Sequence, residues 1–290
     1  MSTPPRLGII GGSGLYQLSA FSQAESLEIE TPFGVPSSPV SVGTVGDTLI
    51  AFVSRHGVGH HHAPTDVPYR ANVYALKQLG ITHLVSISAV GSLNEFMAPG
   101  TFVVPDQIID RTVNRSRTFF DDGVVAHVSL ADPFCSALSA YVAACAESTS
   151  VSTALGGTYV CIEGPQFSTR AESRMFRAWG GSVIGMTAMP EARLAREAGL
   201  CYACLAMVTD WDVWHETEEA VSVAAVVETL NAMTSAVQSL VISLAEAPLP
   251  DCTTACSSSL EHAIVTDSSR IPSSTAERLL PLTGRRIDER

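Results

Sequence analysis

Two short segments of the 290-residue chain combine residue types that could bind a small anion. Residues 11–14 read GGSG, and in such a segment several backbone N–H groups and the Ser13 hydroxyl can converge on one anion. Arg55 and His56 add a guanidinium and an imidazole, which often bind phosphate together. Each segment alone also has an ordinary structural explanation. The glycines are typical of a tight turn without a ligand, and the Arg-His pair is equally typical of an ion-pair site.

A second group of residues could bind a planar, polar molecule. In the segment 163–168 (EGPQFS), Phe167 could stack on a flat ring. Asp210 and Asp212 alternate at the end of an apolar run, so their carboxylates would point in one direction if the strand continued through them. Two alternatives remain open at this point. Phe167 could pack in the core, and the two aspartates could cap a helix that begins near Val213.

The sequence predicts no metal site. The consecutive histidines 60–62 point in different directions, and no Cys or carboxylate cluster follows them at ligand spacing. Cys201 and Cys204 have the spacing of a redox pair, but they lie inside an apolar run, so we expect buried thiols. The seven cysteines are an odd number scattered along the chain, which favours a reducing, cytoplasmic location over a disulfide scaffold.

The elements that must position these segments are short apolar runs and stretches with helical spacing. Runs rich in β-branched residues predict buried strands, and their alternation with helices predicts an α/β fold with a largely buried sheet. In open sheets of this kind, ligands bind outside the strand ends, where loops converge. The predicted strands are 7–10, 49–53, 84–87, 102–104, 158–162 and 201–208. The predicted helices are 69–79, 133–146 (with Asp132 as N-cap), 169–179, 189–198 and 220–245.

Length and composition favour one core-rich domain. Hydrophobic residues make up 46% of the chain and charged residues 16%, which excludes intrinsic disorder. The net charge of −12 argues against binding to nucleic acid or to an anionic membrane surface, and we expect no membrane span or secretion signal. Residues 1–246 are predicted to form the domain. Residues 247–290 are predicted to form a C-terminal appendage of short docked helices, because the sequences at Ser258 and Ser274 fit capping boxes.

Eight motifs occur in an order that is more specific than any one of them. They are GIIGGSGL (8–15), TPFG (31–34), RHG (55–57), SAVGSL (88–93), PDQIIDRT (105–112), EGPQFSTRAE (163–172), GMTAMPE (185–191) and TDWDVW (209–214). This ordered set resembles the nucleoside phosphorylase family, and within it the 5′-methylthioadenosine phosphorylase branch. The similarity runs from about residue 7 to 245. It implies a single-domain mixed β-sheet flanked by helices.

The resemblance implies an enzyme that cleaves the N-glycosidic bond of S-methyl-5′-thioadenosine with inorganic phosphate. The products would be adenine and 5-methylthio-α-D-ribose 1-phosphate. Phosphate is then a co-substrate, and no metal or organic cofactor is needed. By the same resemblance, the expected phosphate-binding residues are Ser13, Arg55, His56, Ser88, Ala89 and Thr187.

The resemblance also assigns the residues around the nucleoside. Asp210 is expected to assist the leaving base at purine N7, for which it must hold a proton, so burial would have to raise its pKa. Met186 is expected under the ribose, and His127 is expected to reach the site of a neighbouring subunit, which implies a homotrimer. The expected base-binding residues are Phe167, Ser168, Asp210 and Asp212, and the expected methylthio pocket comprises Val223, Val226 and Val227.

Three of these positions bear on the choice between 6-amino and 6-oxo purines. Asp212 can accept from the amino group of adenine but repels a 6-carbonyl, and mispairing a buried polar edge can cost on the order of 10⁴-fold in discrimination. Phosphorylases for inosine and guanosine typically carry Asn at the position of Asp210 and Glu at that of Ser168. The alternatives are a phosphorylase for 6-oxopurine nucleosides or methylthioinosine, a hydrolase of related fold, and a noncatalytic nucleotide-binding regulator.

Two residues differ from those of relatives, and one pair of cysteines leaves the presence of a disulfide undecided. Gly185 stands where some relatives have Asn, and Gln166 stands where Arg is common, so contacts beside the site are in question. Some heat-stable relatives have a close cysteine pair near the C-terminus. Cys252 and Cys256 lie four residues apart here, and the sequence leaves a disulfide between them open.

Overall fold

The computed structural model describes residues 6–12, 24–215, 222–252 and 254–289. The eleven strands in these residues form one mixed sheet. They are β1 (Arg6–Gly11), β2 (Glu25–Leu27), β3 (Val40–Val45), β4 (Thr48–Ser54), β5 (His83–Ser92), β6 (Phe102–Val104), β7 (Gln107–Arg111), β8 (Thr153–Leu155), β9 (Thr158–Ile162), β10 (Gly181–Gly185) and β11 (Cys201–Asp210).

Four parallel strands, in the order β4-β1-β5-β11, form the centre of the sheet. Successive side chains are buried on opposite faces, so that Leu84 packs in one hydrophobic cluster and Val85 in the other. Burial on both faces explains why these strands are continuous apolar runs in the sequence. Because the strands are parallel, their carboxyl ends at Gly11, Ser54 and Asp210 lie at the same edge of the sheet.

Helices cover both faces of the sheet. The α-helices of the described residues are α1 (Tyr69–Gln78), α2 (Ser136–Glu147), α3 (Arg170–Ala178), α4 (Ala188–Glu197), α5 (Val223–Glu246) and α6 (Ser273–Thr283). One hydrophobic cluster combines residues of α1, α4 and α6, and the other combines residues of α2 and α5. This arrangement is the mixed sheet flanked by helices that the resemblance implied.

All six strands predicted from apolar runs are present, and the predicted helices match α1 to α5 within a few residues at each end. The strands β2, β3, β7, β8 and β10 were not predicted. Strands β7 and β8 are short and partly exposed, and β10 (GSVIG) contains two glycines, so none of them forms a long apolar run. Their strand conformation depends on pairing with neighbours rather than on local pattern.

The start of α2 corrects one prediction. Asp132 is not the N-cap, because α2 begins at Ser136 with Cys135 in extended conformation as the N-cap. The Cys135 backbone N–H donates to the Tyr202 carbonyl at 2.7 Å, and the Phe134 ring stacks on the Tyr202 ring at 5.7 Å. These contacts with β11 hold the preceding residues out of the helix.

Helix α5 is long and apolar enough, by length and composition alone, to cross a membrane, with a mean hydropathy of 1.3 in its most apolar window. In the structure Met233, Val237, Leu240 and Leu244 of this helix are buried in the hydrophobic cluster on one face of the sheet. Of the most apolar window, 22% is buried inside the structure.

The C-terminal helix α6 packs on the face of the sheet that α1 covers. Leu279 and Leu282 of α6 belong to the hydrophobic cluster that contains α1, and the Tyr74 hydroxyl donates to the Arg278 carbonyl at 2.7 Å. The predicted capping box at Ser274 is wrong, because α6 begins at Ser273 without a side-chain cap. At Ser258 the chain forms only a short 3₁₀ helix. The domain boundary at residue 246 stays a prediction.

Candidate active site

A cleft opens at the edge of the sheet where the four central parallel strands end. The space within it, counting the part open to solvent, is about 940 Å³. Eleven of the predicted site residues lie in its wall. They are Arg55, His56, Ser88, Ala89, Phe167, Ser168, Met186, Thr187, Asp210, Asp212 and Val226.

Arg55 is both a cleft residue and half of a buried ion pair, so its two interpretations are compatible. Its Nε lies 3.1 Å from Glu191 Oε2, and both side chains are 1% exposed. Nη1 donates to the Ile87 carbonyl, and Nη2 is within hydrogen-bond distance of the Ile10 carbonyl, Ser86 Oγ and Glu191 Oε1. Within the described part of the chain, these contacts leave one Nη1 hydrogen for an anion in the cleft.

His56 is held as a neutral imidazole with a defined tautomer. Burial, assisted by the charge of Arg55, lowers the pKa of His56 to about 4. Its Nδ1 lies 3.0 Å from the His62 carbonyl oxygen, which can only accept, so Nδ1 carries the hydrogen. Nε2 is then a hydrogen-bond acceptor, and the ring stacks on that of His60 with centroids 4.2 Å apart.

Ser88 and Thr187 bring hydroxyls to the same part of the cleft. Thr187, just before α4, is 6% exposed, and its Oγ1 has no hydrogen-bond partner of ordinary geometry among the described residues. A buried hydroxyl without a partner is unfavourable unless a ligand or water satisfies it. Ser13 lies outside the described residues, and Gly12, the last described residue before it, lines the cleft.

Asp210 and Asp212 lie together, but not on a continuing strand as the sequence predicted. Strand β11 ends at Asp210, and Asp212 has a positive φ of 52°, so a turn brings its backbone N–H to Asp210 Oδ1 at 2.8 Å. The alternative, that the pair caps a helix, is wrong, because residues 212–214 form a turn. Asp and Asn are the non-glycine residues that most readily adopt this backbone conformation.

Burial raises the pKa of both carboxyl groups. For Asp210 it outweighs the hydrogen bonds from the Thr209 hydroxyl (2.7 Å) and the Asp212 N–H, which lower the pKa. For Asp212 it raises the pKa to about 6. The nearby Ser173 hydroxyl and Val213 N–H lower this pKa. Asp212 Oδ2 is buried and makes no hydrogen bond of ordinary geometry among the described residues, so it can accept one from a ligand.

The loop that carries Phe167 lines the cleft beside the aspartates. Phe167 is 44% exposed, so the alternative that it packs in the core is wrong. Ser168 has a buried Oγ without a partner of ordinary geometry among the described residues. Met186, from the segment after β10, completes this part of the wall.

Arg115 and Glu163 hold two cleft loops together, and the sequence analysis missed the arginine. Arg115 Nη1 donates to the Met186 carbonyl at 2.6 Å, and its Nη2 donates to the Glu163 carbonyl at 2.6 Å. Arg115 Nε also pairs with the Glu163 carboxylate at 3.3 Å. Burial alone raises the pKa of Glu163, but hydrogen bonds, led by that from Thr65, lower it to about 2. In the sequence, the only sign of a role for Arg115 is its place in a polar stretch that follows the motif at 105–112.

Only one of the three valines predicted to form the methylthio pocket lines the cleft within the described residues. This residue is Val226, which is joined one turn later by Leu230, a residue not predicted. Val223 and Val227 are 68% and 47% exposed on the first turns of α5. His127 is also exposed, and its backbone N–H donates to the Ala263 carbonyl. The roles of Val223, Val227 and His127 stay predictions.

The structure explains why residue 185 is a glycine. A Cβ at Gly185 would lie 2.0 Å from the hydroxyl oxygen of Tyr159, whose side chain is fully buried beneath the cleft. Any larger residue would have to displace that ring, so glycine at this position leaves room for Tyr159.

The fold and the cleft together define a nucleoside-phosphorylase type of site, and the family comparison agrees. Residues 6–246 match the family model described as Phosphorylase superfamily, and the chain belongs to that superfamily.

The relatives within the superfamily are more specific. An S-methyl-5′-thioadenosine phosphorylase of Geobacter sulfurreducens is 47% identical over 279 residues, which cover 96% of this chain and 98% of the relative. The crystal structure of a methylthioadenosine phosphorylase from an Antarctic soil metagenomic library has a TM-score of 0.90 at 44% identity, covering 97% of this chain and 99% of that one. The Schistosoma mansoni methylthioadenosine phosphorylase in complex with adenine has a TM-score of 0.80 at 38% identity, covering 83% and 91%.

Proposed function

We propose that the protein catalyses the phosphorolysis of S-methyl-5′-thioadenosine to adenine and 5-methylthio-α-D-ribose 1-phosphate. The observation that carries the proposal is that a single cleft combines the Arg55–His56–Ser88–Thr187 group with the carboxyl groups of Asp210 and Asp212. The relatives named for this activity match nearly the whole chain.

The arrangement suits a reaction that separates charge. As the glycosidic bond stretches, positive charge develops on the ribosyl ring and negative charge on the purine. A phosphate held by Arg55, Ser88 and Thr187 stabilises the ring cation and attacks C1′ from the face opposite the base. Binding both reactants in one cleft supplies much of the acceleration through positioning. These steps need no metal or organic cofactor.

His56 and Asp210 control the positions of two protons in this reaction, one on the phosphate and one given to the purine. With its hydrogen on Nδ1, neutral His56 accepts at Nε2 from the P–OH group of hydrogen phosphate, so that an unprotonated phosphate oxygen faces C1′. Asp210, whose pKa burial raises, donates its proton to purine N7 as the C–N bond breaks.

Asp212 supports a preference for 6-aminopurines. In its ionised form, Asp212 accepts a hydrogen bond from the N6 amino group at Oδ2, which makes no hydrogen bond of ordinary geometry among the described residues, and it repels a 6-carbonyl oxygen. When protonated, the same carboxyl group can donate to a 6-carbonyl.

We therefore expect substrate preference to depend on pH. For a pKa of about 6, the ionised fraction of Asp212 falls roughly tenfold between pH 7.5 and pH 5. The protonated fraction rises about thirtyfold over the same range, so the ratio of kcat/KM for methylthioadenosine to that for methylthioinosine should fall by about 10-fold to 300-fold, the larger value applying if methylthioinosine requires the protonated carboxyl group. Asp212→Asn should remove this pH dependence, since an amide does not titrate. An unchanged ratio in the wild type would remove Asp212 from the recognition of position 6.

The proposed function is tested by measuring release of the free base from methylthioadenosine, methylthioinosine, adenosine and inosine, with and without phosphate. We expect methylthioadenosine to be cleaved fastest, and only with phosphate. Faster cleavage of a 6-oxopurine nucleoside would support the nearest alternative. Cleavage that persists without phosphate would indicate a hydrolase, and binding without cleavage would indicate a regulator.

The assembly and location belong to the same proposal. We propose a cytoplasmic homotrimer in which His127 of one subunit completes the methylthio pocket of the next, beside Val223 and Val227. The exposure of all three residues in the single chain is compatible with this arrangement.

A further inference from the structure

Four of the seven cysteines meet at a point that the proposed reaction does not use. Their Sγ atoms all lie within 4.8 Å of one another. Cys135 precedes α2, Cys201 begins β11, and Cys252 and Cys256 lie in the segment after α5. Three of them are buried, and Cys252 is partly buried.

The spacing of these sulfur atoms suits a tetrahedral metal site. In a zinc tetrathiolate each Zn–S bond is about 2.3 Å, which places the sulfur atoms roughly 3.8 Å apart. Thiolate ligands without imidazole or carboxylate favour zinc over harder cations. We propose that Cys135, Cys201, Cys252 and Cys256 bind one Zn²⁺ as thiolates.

Groups around the cluster are those expected next to metal-bound thiolates. The Cys256 backbone N–H donates to Cys252 Sγ at 3.3 Å, and the Thr254 hydroxyl lies 3.2 Å from Cys256 Sγ. Arg196 Nη1, on a side chain that is 7% exposed, donates to Cys256 Sγ at 3.4 Å. Four thiolates and Zn²⁺ carry a net charge of −2, and the guanidinium offsets part of it. Such outer hydrogen bonds orient the ligands and tune the metal.

The competing arrangement is a pair of disulfides. A disulfide would bring two of the sulfur atoms to about 2.05 Å, whereas all four cysteines are free thiols in the structure. A closed set of four protein ligands also accounts for the convergence of three separate segments on one point. All four thiols would lose their protons when the metal binds.

The position of the cluster indicates a structural role. Strand β11 runs for ten residues from Cys201 to Asp210, about 30 Å at the usual rise, so the cluster lies at the opposite end of the strand from the active site. With four protein ligands, the zinc has no open position for a substrate. The metal would fasten the segment after α5 to α2 and β11.

The proposal is tested on untagged, full-length protein purified without chelators. We expect about one Zn²⁺ per chain by mass spectrometry of the metal, released in proportion when a mercurial reagent titrates the thiols. Cys256→Ser should lower the zinc content at least about fivefold and lower the thermal unfolding temperature. Cys145→Ser, on the same helix that Cys135 precedes but outside the cluster, is the matched control and should keep its zinc.

A measurement on the wild type keeps the test independent of how the variants fold. Protein refolded under reducing conditions with Co²⁺ should show the visible absorption of tetrahedral cobalt thiolate. The proposal is overturned if the purified protein contains two disulfides among these cysteines. It is equally overturned if the reduced wild-type protein binds neither Zn²⁺ nor Co²⁺.

Discussion

Asp210→Ala is expected to lower kcat for methylthioadenosine by about 10²–10⁴-fold, because the leaving adenine loses its proton donor. The carboxyl group lies at the end of β11 in the cleft wall, and burial raises its pKa. The side chains proposed to bind phosphate lie elsewhere in the cleft wall, so KM for phosphate should change much less than kcat. The measurement is steady-state kinetics of adenine release at saturating phosphate.

A nucleoside methylated at N7 separates proton donation from other roles of Asp210. Its base already carries a positive charge and leaves without being protonated, so Asp210→Ala should slow its cleavage far less than that of methylthioadenosine. Asp47→Ala, at an exposed position in the β3–β4 turn, should leave both rates unchanged. Equal losses on the two substrates would contradict the role of Asp210 as an acid.

The pH dependence of kcat should follow from the same group. Asp210 donates only while it is protonated, so the rate should fall as the pH rises through its raised pKa in the enzyme–substrate complex. In Asp210→Asn this alkaline limb should disappear, because the amide does not titrate.

Glu191→Ala is expected to lower the free energy of unfolding by about 3–5 kcal/mol, which is typical of breaking a buried ion pair from one side. Glu191 is fully buried, and its carboxylate accepts from Arg55 at 3.1 Å and from the Tyr202 hydroxyl at 2.9 Å. Without it, the Arg55 charge keeps its burial but loses its counter-ion. Equilibrium urea unfolding at a fixed protein concentration measures the change.

Two control variants separate the charge from the contacts around it. Tyr202→Phe removes one hydrogen bond to Glu191 and keeps the ion pair, so it should cost only about 1 kcal/mol. Glu191→Gln keeps the shape but not the charge, and should fall between the two. A loss below about 1 kcal/mol for Glu191→Ala would show that the Arg55 charge is stabilised by other groups.

Part of the site could be predicted from residue order, but not its geometry. Asp210 and Asp212 were correctly placed together after a strand, yet the reason was wrong. A continuing strand was expected, whereas the strand ends and Asp212 adopts a positive φ that turns its N–H onto the Asp210 carboxylate. A positive φ is a property of one residue in its surroundings, and an alternating pattern of side chains carries no information about it.

The beginning of α2 shows the same limit. Asp132 followed by Pro133 is a good local signal for a helix start, but the chain instead pairs Cys135 with the backbone of Tyr202 on β11. This contact with a distant strand outweighs the local preference.

Local pattern was sufficient for the central strands, for most helices and for the polar segments that follow the strands, because each depends on residues close together in the chain. The loops gather in one cleft because the strands before them are parallel and adjacent, and that order is a property of the whole sheet. The Arg55–Glu191 pair joins residues 136 positions apart, and the four-cysteine cluster joins three separate segments. Contacts of this kind depend on how distant segments pack, so the tertiary structure determines them and the local sequence does not predict them.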